Sequence, residues 1–281
     1  MNTIFVNTKR VAVLMATYNS EKYLTEQIES IISQTYTNWS LYIRDDGSKD
    51  GTLSLIIDYQ TKYDNIFLLD SHESLGPRDS FLELLSKVES EYYMFSDHDD
   101  IWLSNKIERF VDKVDTYTLG NDLCPVIVCS DLRVVDSELN ELYPSFWKFS
   151  NFKLEEFNDL QYHWFSNNVN GCSLLLNNEV KSLVFPYPAS VYMHDSWIVL
   201  VTLKRKGVVL PIQEQLMLYR QHRNNTLGAK RSSLRHYFTD FLGVMKRTYN
   251  QYLTVNYIER ISLFKFLWLK VRRRAKELLF N

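Results

Sequence analysis

The sequence predicts an α/β domain with a mostly parallel central sheet covered by helices on both faces. Three observations predict it. Short, near-continuous apolar runs rich in β-formers recur along the chain, amphipathic helical stretches alternate with them, and several runs end in carboxylates and turn formers. At 281 residues, 45% of them hydrophobic, the chain holds enough apolar material for one large domain, or a domain with an appendage.

The elements follow in order. "VAVLMATY" (11–18) reads as a strand buried on both faces. The helix after it carries Leu24, Ile28, Ile31 and Ile32 on one side, with Asn19 or Ser20 available as N-cap. "WSLYIRDD" (39–46) is a strand ending in carboxylates, and Gly47 to Gly51 turn the chain into a helix bearing Leu53, Ile56 and Ile57. "NIFLLD" (65–70) is a third strand, and 79–90 form a helix with Phe81, Leu84, Leu85 and Val88 on one face. "EYYMFSD" (91–97) is a fourth strand. The second half is less regular: strands at 125–132 and 170–177, a helix at 194–207 stopped by Gly207, then two short strands, "VVLP" and "LMLYRQH". From about Ser232 the chain reads as helical and basic, and the turn-rich loop "HRNNTLGAKRSS" sets a boundary near residue 228. The division is 1–228 for the main domain and 229–281 for a helical C-terminal region.

Bulk properties narrow the function. A formal net charge of −2 gives the molecule no overall attraction to nucleic acid. Cys124, Cys129 and Cys172 form no CxxC pair, which speaks against a disulfide framework or a structural zinc and fits a reducing cytoplasm; they read as small buried hydrophobes. The first ten residues lack the apolar core of a signal peptide, and the apolar stretch 261–269 falls well short of the roughly 20 residues a membrane span needs.

In an open α/β sheet, ligands bind outside the carboxyl ends of the strands. Three strand ends are suggestive: Thr17-Tyr18-Asn19, Asp45-Asp46-Gly47, and Asp97-His98-Asp99-Asp100. Carboxylates packed as closely as Asp97, Asp99 and Asp100 repel one another, and a divalent cation relieves the repulsion; hard oxygen ligands completed by a substrate's phosphates suit Mg2+ or Mn2+. The competing reading is a solvated loop or a cap for the helix in "LSNKIERFVDKV". A carboxylate at Asp46 could accept the imide N–H of a pyrimidine, and Tyr18 could stack on the same base.

Together, "ATYNSEKYLTEQIESIISQTYTNWSLYIRDDGSKDGT", "FSDHDDIW", "MHDSW" and "YRQHRNNTLG" resemble the family 2 inverting glycosyltransferases with a GT-A fold, over about residues 10–228; the last two are similar to the bacterial rhamnosyltransferase-like branch that builds surface polysaccharides. The resemblance implies roles residue by residue. Thr17 and Tyr18 would contact the nucleobase and Asp46 its imide, Asp97 the ribose or the metal. Asp99 would be the leading metal ligand with Asp100 the alternative, and His222 a further ligand to metal or diphosphate. Asp195 would be the catalytic base. Ser80 stands where relatives often have Asn, which leaves Arg78 as the diphosphate partner from that loop. The implied donor is dTDP-rhamnose or a UDP-hexose, a choice the shared imide of thymine and uracil cannot make.

Some residues have bland readings. Asp195 also suits a helix cap, His194 a structural or acceptor-facing role, and His72, His163 and His236 need no function. Gly171, in the loop entering the 170–177 strand, permits close backbone approach. Trp147, Phe149, Phe152, Tyr162, Trp164 and Phe165 form either a sugar-stacking platform or an ordinary core. The tail sets Lys265, Lys270, Arg272, Arg273, Arg274 and Lys276 against Glu277 alone, beside Phe264, Phe266, Leu267, Trp268 and Leu269. Such a helix can lie in the headgroup region of an anionic membrane or pack on its own domain or a partner subunit. The expectation is a metal-dependent enzyme, cytoplasmic and peripheral to the inner face of the plasma membrane, acting on a lipid-linked glycan. Its oligomeric state is left open. The rival readings are a nucleotide-sugar or glycan-binding protein on the same fold with the chemistry lost, and a phosphotransferase or nucleotidyltransferase, which would leave "HD" without a role.

Overall fold

The computed structural model of the chain describes residues 10–71, 73–119, 123–222 and 241–280, with side chains except at 241–242 and 276–280. His72 and His236 and the boundary near 228 lie outside the described residues.

Alternating strands and helices lead off: β1 (Val11–Thr17), α1 (Leu24–Ile32), β2 (Trp39–Asp45), α2 (Thr52–Lys62), β3 (Ile66–Leu68), α3 (Gly76–Lys87) and β4 (Tyr92–Ser96). Then come β5 (Ile101–Trp102), α4 (Lys106–Thr118), β6 (Val126–Val135), β7 (Glu141–Tyr143), α5 (Phe146–Ser150) and α6 (Leu160–His163). β8 (Leu174–Asn177), α7 (Asn178–Val184), α8 (His194–Lys204) and β9 (Val208–Arg220) complete the body, and α9 (Phe241–Glu259) and α10 (Leu263–Phe280) form a C-terminal pair. The sheet order is β3-β2-β1-β4-β8-β6-β9-β5, with β7 on β6. β1 to β4 are mutually parallel, and antiparallel β8 intervenes between β4 and β6.

Strand periodicity explains the two cores. Val11, Val13 and Met15 point to one face, where they meet Leu24, Ile28 and Ile31 of α1 and Phe110 and Val114 of α4. Ala12 and Leu14 point to the other, against Leu84 and Leu85 of α3 and Trp197 and Ile198 of α8. Burying such an aliphatic side chain contributes roughly 1.5–3 kcal/mol. A third cluster joins Trp164, Leu200, Val255 and Phe266, so the two C-terminal helices are seated on the body.

Three local expectations change. The two short strands of the second half are one strand, β9, whose pairing with β6 shifts register around Ser130 and Asp131. Pro211 is tolerated there because β9 bonds β6 on one side, while β5 pairs only at Met217 and Leu218. The first helix starts at Leu24, since Asn19 takes a left-handed backbone (φ 48) and Ser20 Oγ accepts from Tyr18 N instead of capping. The stretch 170–177 is strand only from Leu174, because residues 171–173 form a tight turn.

The chain runs outward from β1 to β2 and β3, then returns to β1's other side as β4. The connections therefore diverge at the carboxyl ends of β1 and β4, which opens a crevice there.

Candidate active site

The turn after β2 is held by its own carboxylates. Asp45 Oδ2 accepts from the backbone N–H of Gly47 (3.2 Å) and Ser48 (2.9 Å), and Oδ1 from the hydroxyls of Thr17 (3.0 Å) and Ser48 (2.6 Å). Thr17 is thus buried and engaged within the turn. Tyr18 beside it is 52% exposed. Asp46 meets five donors: Arg44 Nη1 (2.5 Å), Leu75 N (2.7 Å), Ser74 Oγ (2.8 Å), Gly76 N (2.9 Å) and Ser80 Oγ (3.1 Å). Burial raises its carboxyl, but these donations outweigh that and hold it below its ordinary value. With about four acceptor positions on a carboxylate, Asp46 anchors the loop entering α3, and a contact to a base imide requires that loop to give up a bond.

The loop after β4 is treated differently. Asp100 is fully buried; its Oδ1 accepts from Arg220 N (3.0 Å), and its Oδ2 meets no protein donor among the described residues. Asp99 is 7% exposed, and its Oδ2 lies 2.8 Å from His222 Nε2. Burial and then the charge of Asp99 push Asp97 up to about 7; burial, Asp99 and Asp97 push Asp100 well above the carboxylate range. Helix α4 begins at Lys106 after Asn105, so none of these aspartates caps it, and Asp99 and Asp100 are buried, not solvated. Asp97 and Asp100 bring carboxylate oxygens and Cys172 its sulfur within 4.8 Å of one another. Burial holds the Cys172 thiol protonated, well above its ordinary value, so it is a poor partner for a hard ion. The clustered oxygens, one unpartnered, with His222 against Asp99, fit a divalent cation of the Mg2+ or Mn2+ type.

Asp195 stands in the first turn of α8, near enough to Asp97 for its charge to act on that carboxyl. Its Oδ2 accepts from Gly171 N (3.2 Å) and its Oδ1 from Ser196 N (2.6 Å). Burial raises it to about 6 against those two donations. A carboxylate at that value is ionised at neutral pH and still basic enough to take a proton from a hydroxyl.

The comparisons agree with this architecture. The profile described as Glycosyl transferase family 2 matches residues 12–178. The chain belongs to glycosyl transferase family 2. It is 30% identical over 227 residues to the dTDP-rhamnosyl transferase RfbG of Shigella flexneri, spanning 76% of this chain and 74% of that one. It is 33% identical over 98 residues to the UDP-Glc:alpha-D-GlcNAc-diphosphoundecaprenol beta-1,3-glucosyltransferase WfgD of Escherichia coli, 35% of this chain and 38% of that one. The S. aureus TarS 1-349 structure in complex with UDP-GlcNAc superposes with a TM-score of 0.63 at 15% identity over 97% of this chain and 73% of that one. The fold is that of the GT-A glycosyltransferases, and the match spans 37% of the longer TarS chain.

In this family 2 glycosyltransferase, the other residues singled out by the sequence have partners within the protein. Arg78 pairs with Asp79 and donates to the carbonyls of Ala189 (3.2 Å) and Val191 (2.6 Å), fastening α3 to the segment before α8. Of the aromatic platform, Trp147, Tyr162 and Trp164 are buried and Phe149 stacks on Tyr143. His163 and His194 are buried, and His194 packs between Phe81 and Phe95. A Cβ on Gly171 would come within 2.7 Å of the His194 ring, so the close approach at Gly171 is made by that side chain.

Two cations went unremarked in the sequence. Lys106 is fully buried; its Nζ donates to the Cys172 carbonyl (2.8 Å) and lies 3.9 Å from the centre of the Trp102 ring. Burial draws it down to about 7, against the pull of Cys172, Asp100 and Asp97. Its signal was available, since Lys106, Phe110 and Val114 share one stripe of α4. Arg220, in "YRQH", donates through Nε to the Asp99 carbonyl (2.8 Å) and through Nη1 to the Ser137 carbonyl (2.9 Å), pairs with Glu26, and lies over Tyr23, which stacks on His222. It fixes the backbone of the acidic loop.

Proposed function

We propose that this enzyme is a metal-dependent inverting glycosyltransferase that moves a sugar from a nucleoside-diphosphate donor to a hydroxyl of a growing bacterial surface polysaccharide. The observation that carries the reading is a carboxylate cluster, with Asp97 and Asp100 bringing oxygens together, and near it the separately held carboxylate of Asp195, whose charge is felt at Asp97. Tyr18 stacks on the nucleobase, and Asp46 reads its imide when the 74–76 loop yields. Asp97, Asp99, Asp100 and His222 are the residues that would hold Mn2+ or Mg2+. A bound ion there supplies charge neutralisation of the leaving group. Asp195, oriented by Gly171 N and Ser196 N, takes the proton of the acceptor hydroxyl as it attacks C1 from the opposite face, which inverts that centre.

The likeness to a dTDP-rhamnosyl transferase favours dTDP-rhamnose, with UDP-hexoses as the competing class. A relative acting on a diphosphoundecaprenol-linked sugar supports a lipid-linked acceptor. Among the described residues no helix is long and apolar enough to cross a membrane. The face of α10 bearing Phe264 (81% exposed), Trp268 and Val271, with its basic neighbours, suits peripheral binding to an anionic membrane.

The test is donor turnover: purified protein with Mn2+ and a panel of sugar nucleotides should release nucleoside diphosphate from one of them. Asp195→Asn should keep donor affinity and lose roughly 10²–10⁴-fold in transfer rate. Activity should rise with pH through about 6 and then level, because the base works ionised. A variant that still transfers, or a rate flat across that range, would remove Asp195 from the role.

A further inference from the structure

We propose that Lys106 is a positioning residue for the general base: from its buried place on α4 it holds the turn whose backbone N–H orients Asp195. This rests on the reading of Asp195 as the base, given above, and adds what keeps that carboxylate in place.

The layers on the two faces of the sheet meet at the turn 171–173. α4 packs on one face, where Ile107 and Phe110 share a core with Cys172, and α8 packs on the other through Trp197 and Ile198. Lys106 Nζ donates to the Cys172 carbonyl (2.8 Å), and the preceding residue, Gly171, donates its N–H to Asp195 Oδ2 (3.2 Å). Hydrogen bonds at either end of the Gly171–Cys172 dipeptide therefore join a side chain of α4 to the carboxylate of α8. The donation from Ser196 N comes from the same turn of α8 as Asp195, whereas that from Gly171 N comes from another element and fixes the carboxylate relative to the sheet. The turn has little slack. Ser173 donates to the Asn170 carbonyl through N (3.0 Å) and Oγ (3.2 Å), and a Cβ at Gly171 would fall 2.7 Å from His194 Nε2.

The surroundings of Lys106 are not those of a residue kept for stability. Its ammonium is fully buried, and it meets the one carbonyl, the Met217 sulfur (3.2 Å) and the rings of Trp102 (3.9 Å) and Phe110 (5.8 Å). Asp97 and Asp100 act on it by charge through space, and among the described residues no carboxylate accepts a hydrogen bond from it. A cation buried with so few acceptors costs the fold more than an apolar side chain of similar volume would. What it supplies is a charge-assisted donor at a fixed point, stronger than a neutral one and aimed at a single backbone oxygen. Precision at that point reaches the chemistry, since a displacement of about 1 Å at a reacting group can lower a rate roughly 10²-fold.

The test uses the full chain with Mn2+ and the variant Lys106→Met, which keeps the length of the stem and removes the donor. The variant should melt within a few degrees of the parent, because a buried charge has been replaced by an apolar group of similar shape. Its Gly171 amide hydrogen, followed by NMR, should exchange at least about tenfold faster, as loss of a charge-assisted bond to the turn predicts. Release of nucleoside diphosphate from the sugar nucleotide that the parent uses should fall roughly 10- to 10²-fold in kcat. Added to Asp195→Asn, the same substitution should lower the rate no further, because residues acting through one another are not additive. Added to Asp97→Asn, it should still lower the rate, which separates the tether from charge balance at the acidic cluster. Unchanged exchange at Gly171, additive losses with Asp195→Asn, coupling to Asp97 in its place, or a large fall in melting temperature would overturn the proposal. A parent that turns over no sugar nucleotide would strike the proposed function instead, and the exchange measurement would still decide whether Lys106 holds the turn.

Discussion

Two acidic turns lie at the same end of one sheet, after β2 and after β4, and the protein treats them in opposite ways. Asp45 and Asp46 meet donors at every carboxylate oxygen, and Asp46 is held below its ordinary value. Asp97 and Asp100 are driven upward by burial, with one oxygen of Asp100 unpartnered. The same residue type thus serves once as a clamp on backbone and once as a buried acid whose charged form is disfavoured. What separates the two is the supply of N–H and O–H groups around each carboxylate.

The sharpest way to break this comparison is to remove a charge from the second turn. Asp99→Asn should cost roughly 10²–10³ in turnover, as loss of one electrostatic stabiliser typically does, while the melting temperature hardly moves. A stable variant of full activity would mean that the second turn is structural like the first.

Metal titration should follow from the same contrast. Asp46, held low, stabilises the fold above its unfolded value and loses that effect as pH falls through its folded value. Asp97, raised to about 7, does the reverse: its contribution is full below the ordinary value near 3.8 and is lost as pH rises through 7. The metal-free protein should therefore melt lower at about pH 8 than at about pH 5. Mn2+ at 100 times its dissociation constant should restore about 2.7 kcal/mol at the higher pH. Calorimetry with and without EDTA would show it, and a metal effect independent of pH would count against the carboxylates as ligands.

Asp46→Asn should act chiefly on stability. It leaves Arg44, 2% exposed, with Glu83 as its remaining acid partner, and should cost about 3 kcal/mol in denaturant unfolding. If nucleotide affinity falls with no stability change, Asp46 is a base reader first and a loop anchor second.

The smallest effect belongs to Gly47. Its φ of 88° is unfavourable for any L side chain although a Cβ there would touch nothing, so Gly47→Ala should cost about 1–2 kcal/mol and leave donor affinity unchanged.

Much of this was legible beforehand because it depends on local period and composition. The alternation of Val11, Val13 and Met15 with Ala12 and Leu14 fixes a two-faced strand, and Leu24, Ile28 and Ile31 fix the helix beside it. Runs of this kind, repeated with carboxylates at their ends, determine a parallel sheet and the end at which ligands gather. Motif spacing determined which aspartates deserved attention and the family to which the chain is similar. What only the tertiary structure decided is which partners those side chains meet. Arg78 is turned toward Ala189 and Val191, more than a hundred residues along the chain, and Lys106 reaches the carbonyl of Cys172 from another element. Desolvation and hydrogen bonding are set by neighbours brought together through folding, so the charge state of a carboxylate is a property of the packed molecule.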